Sequence, residues 1–256
     1  MDVPNITVEQ IETLVFVFLR VSAIIVTMPV FGTGSAPVRV KAGLSLMISF
    51  LIFPFVTITP PPPEIVSLVL RMVGEVIVGV IIGFAGRLIF AGVQLAGQLT
   101  GFMMGFAIVN VFDPLTSAQV SILAQVQYLF VVLLFLALDG HHIFLGAITD
   151  SYRLVLPLDF YFSGELARTI AGLARDIFVI AIKVGAPAVT ALLMVDIGFG
   201  LIARTVPQMN ILIVGFPVKI AMGLIGFGLA LPLVARMLGG VFLGFGTSLQ
   251  TLLRLM

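Results

Sequence analysis

Apolar residues in this chain run in long blocks, and polar residues, prolines and glycines mark the joints between them. The first block, Ile11 to Phe31, follows Thr7 and Gln10, which have the spacing of an N-cap and its capping-box partner. Its length suits one membrane crossing. Arg20 falls near its middle. A lone arginine there costs about 2.5–3.5 kcal/mol on insertion scales, so its side chain is expected to face protein or water. A turn from Gly32 to Pro37 leads past Arg39 and Lys41 to a second block, Ala42 to Ile58. Pro60 to Pro63 then form a break that no helix crosses. Glu64 opens a third block, which runs to about Phe90 and flows into a glycine stripe.

That stripe begins the stretch around which the chain is organised. Gly97, Gly101 and Gly105 recur at four-residue spacing, which lets a second helix backbone come close. Phe102, Met103, Met104 and Phe106 lie among them, and methionine adapts to whatever shape it meets, as a compliant seal would. The helical pattern breaks at Asn110-Val-Phe112-Asp113-Pro114, because Pro114 lacks an amide hydrogen and disfavours the α conformation at Asp113. A loop among apolar helices is costly in lipid unless it is buried in protein or lines a wet cavity.

Beyond Pro114 the pattern predicts a helix from about Ala118 to Leu138, with Gln119, Gln125 and Gln127 among apolar residues, ended by Asp139-Gly-His-His142. The segment from there to Gly164 is mixed and reads as the most soluble part of the chain. A long amphipathic helix is expected from Glu165 to about Ile202, carrying Arg168, Arg175, Asp176 and Lys183 before Ala186-Pro187. Arg204 to Asn210 make a polar turn, and a last helix runs from Ile211 to about Leu238 with Pro217, Lys219, Pro232 and Arg236. Gly239-Gly240 separate it from a short amphipathic tail ending at Arg254. The basic residues divide poorly between two sides, since Arg236 and Arg254 fall opposite Arg39, Lys41, Arg87 and Arg204 if the final helix crosses fully.

Composition places these blocks in a membrane. Hydrophobic residues make up 60% of the 256 positions, charged ones 10%, and mean hydropathy is +1.25, whereas soluble domains carry about 25% charged residues. The expected class is an all-α integral membrane protein of bent and broken helices. The net charge of +1 gives no basic face for nucleic acid. Without cysteine there is no disulfide or thiolate site, and the acidic N-terminus is not that of a signal peptide, so the first helix is expected to remain. His141 and His142 are adjacent, so on a helix their rings are expected to diverge by about 100° and not to chelate together. No nucleotide loop or catalytic triad is visible. The reading is a non-enzyme without metal or cofactor.

Arg20, Glu75, Arg87, Lys183, Asp196, Lys219 and Arg236 lie within apolar blocks. A proton or ion relay is one use for such groups, but these are scattered and of mixed sign. Pairing between subunits is the reading for Lys219 and Asp196, while Arg71 and Glu75 are spaced to pair within their own helix. Gly79/Gly83 and the stripe at 97–105 are by default packing faces within one polypeptide. The 26 glycines, recurring at 198, 200, 223, 226 and 228, are more than one small bundle needs and point to partners.

The glycine stripe, Phe106 to Pro114, Asp139-Gly-His-His142, Pro207-Gln-Met-Asn210 and Gly215-Phe-Pro-Val-Lys219, in this order, resemble the FliR/SctT family of type III secretion export-gate subunits. The resemblance covers essentially the whole chain. It implies bent helical hairpins packed in a helical hetero-oligomer with FliP-like and FliQ-like subunits, beside an FlhB-like export switch protein. It further implies residence in the bacterial inner membrane at the flagellar basal body, with unfolded flagellar proteins as cargo. Residues 1–164 would be a FliP-like part, with a plug loop at about 105–117, and residues 165–256 a FliQ-like hairpin. Met103, Met104, Gly105, Phe106, Asn110, Phe112, Asp113 and Pro114 would form the plug. Gly97, Gly101, Glu75, Lys183, Asp196, Pro217 and Lys219 would meet neighbours, with Lys219 facing a neighbour's carboxylate. A small-solute transporter with broken helices at Pro114 and Pro217 is the rival, although no inverted repeat is evident. A passive anchor without a pore would keep the interfaces and make the loop dispensable.

Overall fold

A computed structural model describes residues 7–32, 36–56, 65–106, 121–155, 160–208 and 210–256. Helix is the regular structure among them. In order these are α1 (Val8–Thr27), α2 (Pro29–Gly32), α3 (Val38–Ile52), a 3-10 turn (Phe53–Phe55), α4 (Ile65–Met104), α5 (Ile122–Ala137), α6 (Gly140–Leu154), α7 (Gly164–Thr205) and α8 (Ile211–Leu255). The all-α class expected from the blocks is therefore observed. Among the described residues five helices are long and apolar enough to cross a membrane, and α5 with α6 would make a sixth span as a broken pair.

Local chemistry explains most boundaries. The Thr7 hydroxyl accepts the Gln10 amide while the Gln10 side chain accepts the Thr7 amide, a closed capping box that starts α1. Pro54 follows the end of α3 and tightens it into the 3-10 turn. The α5–α6 bend falls at Asp139, whose φ of 54° is left-handed.

Two expectations fail. The segment after Asp139 is the helix α6, not a mixed stretch. It buries Phe144, Ala147, Ile148, Ser151 and Tyr152 and turns residues such as Thr149 and Arg153 outward, so its apolar residues form a stripe and not a block. The last helix does not stop at Leu238 either. Leu238, Phe242, Phe245, Leu249 and Leu252 stay buried at alternating four- and three-residue steps, and that packing outweighs a glycine cost of roughly 1 kcal/mol per residue at Gly239 and Gly240.

The chain divides into two compact units, Met1–Arg87 with Asp139–Leu173 and Leu243–Met256, and Leu88–Leu138 with Ala174–Phe242. Helices α4, α7 and α8 contribute residues to both. The boundary expected at 164/165 coincides with the start of α7, but the compact units follow contacts, not that cut.

The first unit is centred on Arg20, which is 1% exposed. Its Nε donates to Glu75 Oε2 at 2.6 Å and its Nη2 to Oε1 at 3.0 Å. The other donors reach the end of α6, with Nη1 2.9 Å from the Ser151 carbonyl and both terminal nitrogens 3.2 Å from that of Val155. The guanidinium also lies over the Tyr152 ring, 4.2 Å from its centroid, and the Tyr152 hydroxyl donates to Val17. Arg20 thus neutralises a carboxylate and caps a helix at once. Glycine brings α4 against α1 here, since a Cβ at Gly79 would stand 2.6 Å from the Arg20 carbonyl oxygen. The chain's last residues close the unit through Tyr161 N–H to Met256 O and the Ser163 hydroxyl to Leu255 O. The second unit holds an aromatic triangle, with ring centroids 5.5 Å apart for Phe90 and Phe135, 5.9 Å for Phe90 and Phe242, and 5.3 Å for Phe135 and Phe242.

Removing one member of the buried pair leaves the other charged without compensation. Glu75→Leu or Arg20→Met alone is expected to cost roughly 3–5 kcal/mol, read as a lower thermal aggregation midpoint in detergent. The Glu75→Leu/Arg20→Met double variant is expected to recover part of it. A Glu75→Leu protein as stable as the unaltered one would remove this pair from the account of stability.

Candidate functional site

In the second unit, α4 ends six residues before Asn110, in a Schellman arrangement. Gly105 N–H donates to Phe102 O at 3.0 Å, and Phe106 N–H donates to Gly101 O at 3.1 Å. Gly105 occupies the left-handed position, φ 94°, which a side chain resists. It is therefore the helix stop, and it is also a close-approach position, since a Cβ there would stand 2.5 Å from Cδ1 and Cε1 of Phe216 on α8.

Around this stop four helices converge. Met104 from α4, Leu123 from α5 and Leu192 from α7 form a buried cluster, and Met103, Phe106, Ile220 and Phe227 pack against it. Glycines permit the approach. A Cβ at Gly97 would stand 2.5 Å from the Cα of Ala124, and one at Gly101 would overlap the Ser121 hydroxyl. On the opposite side a Cβ at Gly223 would come within 2.7 Å of Met104 Cγ. Gly101 therefore touches both ends of the chain's excursion, Phe106 through its carbonyl and Ser121 through contact. The Ser121 hydroxyl and Gln127 Oε1 are buried there with no hydrogen-bond partner among the described residues.

Met103, Met104 and Phe106 share this cluster, and Gly105 lies between the last two in the sequence. Asn110, Phe112, Asp113 and Pro114 lie outside the described residues. Several of the expected interface residues have contacts within this chain. Gly97 and Gly101 are filled by this chain's own α5, because only glycine admits Ala124 and Ser121 so closely. Glu75, 2% exposed, is held by Arg20 inside the other unit. Lys219 forms an ion pair with Asp196 across α7 and α8 of the same chain. Lys183 is exposed on α7 and Pro217 on α8. Arg87 and Arg236 are exposed too, although they sit in apolar helices.

Sequence reasoning missed Leu123 and Leu192, which carry no signal beyond ordinary apolar character, and gave Phe216 only as part of the Gly215-Phe-Pro-Val-Lys219 motif. It also missed that Arg20 and Glu75 meet, though both had been noted as charges in apolar blocks. Asp139, His141 and His142 each offer a ligand atom within 4.8 Å of the others, and the two imidazole centroids are 4.2 Å apart. The expected divergence of these rings is therefore not observed. They sit in the first turn of α6, where the positive end of the helix opposes a cation, and no metal is assigned to them.

The description "Bacterial export proteins, family 1" belongs to a family model that matches residues 11–245. The chain is 34% identical over 226 residues to the flagellar biosynthetic protein FliR of Bacillus subtilis (strain 168), covering 86% of each. It is 32% identical to the FliR of Pectobacterium carotovorum subsp. carotovorum and 31% identical to that of Escherichia coli (strain K12), in both cases over 85% of this chain and 83% of the relative.

The Lys219–Asp196 pair is partly exposed, so its net contribution is on the order of 1 kcal/mol. Lys219→Glu does more than remove it, since it sets two carboxylates together, and a lower yield of monodisperse protein is expected. Adding Asp196→Lys is expected to restore the yield. A double variant no better than the single one would mean that Lys219 is read by another chain.

Proposed function

Because the chain belongs to the bacterial export proteins, family 1, we propose that it is a non-enzymatic channel subunit of the flagellar type III export gate. Kinship with flagellar biosynthetic proteins makes it a component of the flagellar export apparatus. In the proposed reading it sits in the inner membrane at the basal body, assembles with FliP-like and FliQ-like subunits beside an FlhB-like switch protein, and passes unfolded flagellar proteins. Residues 1–164 act as the FliP-like part and 165–256 as the FliQ-like hairpin.

The observation that carries the gate is the closure of the excursion's base. Phe106 and Ser121 both border Gly101, in a corner lined by Met103, Met104, Leu123 and Leu192. The residues that flank 107–120 are thus held by the same turn of α4. The compliant Met/Phe surroundings suit a seal. Partners are supported by the surface of α7 and α8. Met194, Ile197 and Leu201 on α7, with Ile225, Leu229 and Leu233 on α8, expose from 55 to 79% of their surface. At about 1.5 Å per residue these helices of 42 and 45 residues reach about 63 and 67 Å, twice the ~30 Å hydrocarbon layer. Such length needs protein neighbours beyond the bilayer. Exposed Lys183 and Arg236, amid apolar residues, are likewise costly against lipid and are assigned to subunit contacts.

The transporter alternative needs interrupted helices at a midplane site. Pro187, Pro217 and Pro232 all lie inside continuous helices, which removes Pro217 as such an interruption.

Deleting residues 110–115 is expected to leave the protein in the membrane and in its complex, and to make the membrane leaky to ions. Conductance of the deletion strain, compared with the intact strain, reads this directly. Equal conductance with normal assembly would overturn the plug.

A further inference from the structure

We propose that Phe216 is a positioning residue for the gate, holding Gly105 in the backbone conformation that directs Phe106 into the four-helix corner. This rests on the gate reading above and extends it to a residue on α8 that the glycine stripe and the methionines do not include.

Gly105 carries a left-handed φ of 94° and no side chain of its own to hold it there. Glycine visits many backbone conformations with little preference, so its setting rests on the hydrogen bonds of the Gly105 and Phe106 amides to α4 and on what packs against it. The space where a Cβ would stand is filled by the Phe216 ring, whose Cδ1 and Cε1 would each lie 2.5 Å from that atom. The ring thus takes the place of the missing side chain and blocks other settings of the peptide. Phe216 is itself fixed. Three residues further along α8, Lys219 pairs with Asp196 of α7. One more turn along, Gly223 receives Met104. Ile220 and Phe227 pack on the Met104–Leu123–Leu192 cluster. The first turns of α8 therefore grip the last residues of α4 at two points, Phe216 on Gly105 and Gly223 on Met104. Only the first bears on a residue with freedom to turn. Pro217, directly after Phe216, lacks the amide that a helix interior otherwise uses.

The test uses the full chain in cells that carry the native export apparatus, with ion leak and the amount of protein in the membrane both measured. Phe216→Ala is expected to raise the leak while membrane levels hold, and Phe216→Tyr, which keeps the ring, to restore tightness. Phe216→Leu, which keeps apolar bulk without a flat ring, serves as the second reading if Phe216→Ala is lost from the membrane. Gly105→Ala is expected to leak through collision with the ring as well as through backbone strain. The Gly105→Ala/Phe216→Ala double variant is therefore expected to leak less than the sum of the two singles. Additive leaks, or a tight Phe216→Ala protein in a background where deletion of residues 110–115 leaks, would overturn the role of Phe216 and leave the gate standing. A tight deletion strain would remove the gate reading itself.

Discussion

Helix ends in an apolar chain leave carbonyls that water does not reach, and the structure depends on how these are satisfied. Two ends are settled in opposite ways. α6 stops against a charge brought from far away, as Arg20 donates to the carbonyls of Ser151 and Val155. α4 stops on itself, through the Gly105 and Phe106 amides folding back to Phe102 and Gly101. The first solution ties three helices together around one guanidinium. The second closes the helix locally, and the Phe216 ring of α8 packs on the glycine that makes the turn.

The Arg20 arrangement also explains why a charge is tolerated in the first apolar block. Its donors serve a carboxylate and helix-end carbonyls, with an aromatic face beside the plane. A buried charge satisfied in this way is no longer a candidate relay. Lys219 and Asp196 are neutralised within the hairpin as well. Lys183 and Arg236 are different, because the fold leaves them outward. Charges that looked alike along the chain therefore separate into those paired inside the fold and those exposed on its surface.

Glycines separate in the same manner. At 97, 101 and 223 a Cβ would collide with Ala124, Ser121 or Met104, so these positions let helices of one chain touch. At 198, 200 and 228 nothing lies within 4 Å of where a Cβ would be. Spacing alone could not distinguish the two sets, since both have the small residues that close helix packing uses.

What the sequence determined by itself was local or cumulative. Block hydropathy set the helical membrane class, Thr7 and Gln10 set the start of α1, and the ordered motifs from Phe106 to Lys219 pointed to the export family. These properties are written in neighbouring residues or summed along the chain. Tertiary structure decided the rest. It turned the stretch after Asp139 into a helix, because burial of Phe144, Ile148 and Tyr152 needs a face that only folding supplies. It carried α8 through Gly239-Gly240 on a continuing buried stripe. It joined Arg20 to Glu75, 55 positions apart, and laid Phe216 on Gly105. Which charge meets which, and what fills the space beside a glycine, depend on distances that the order of residues does not contain.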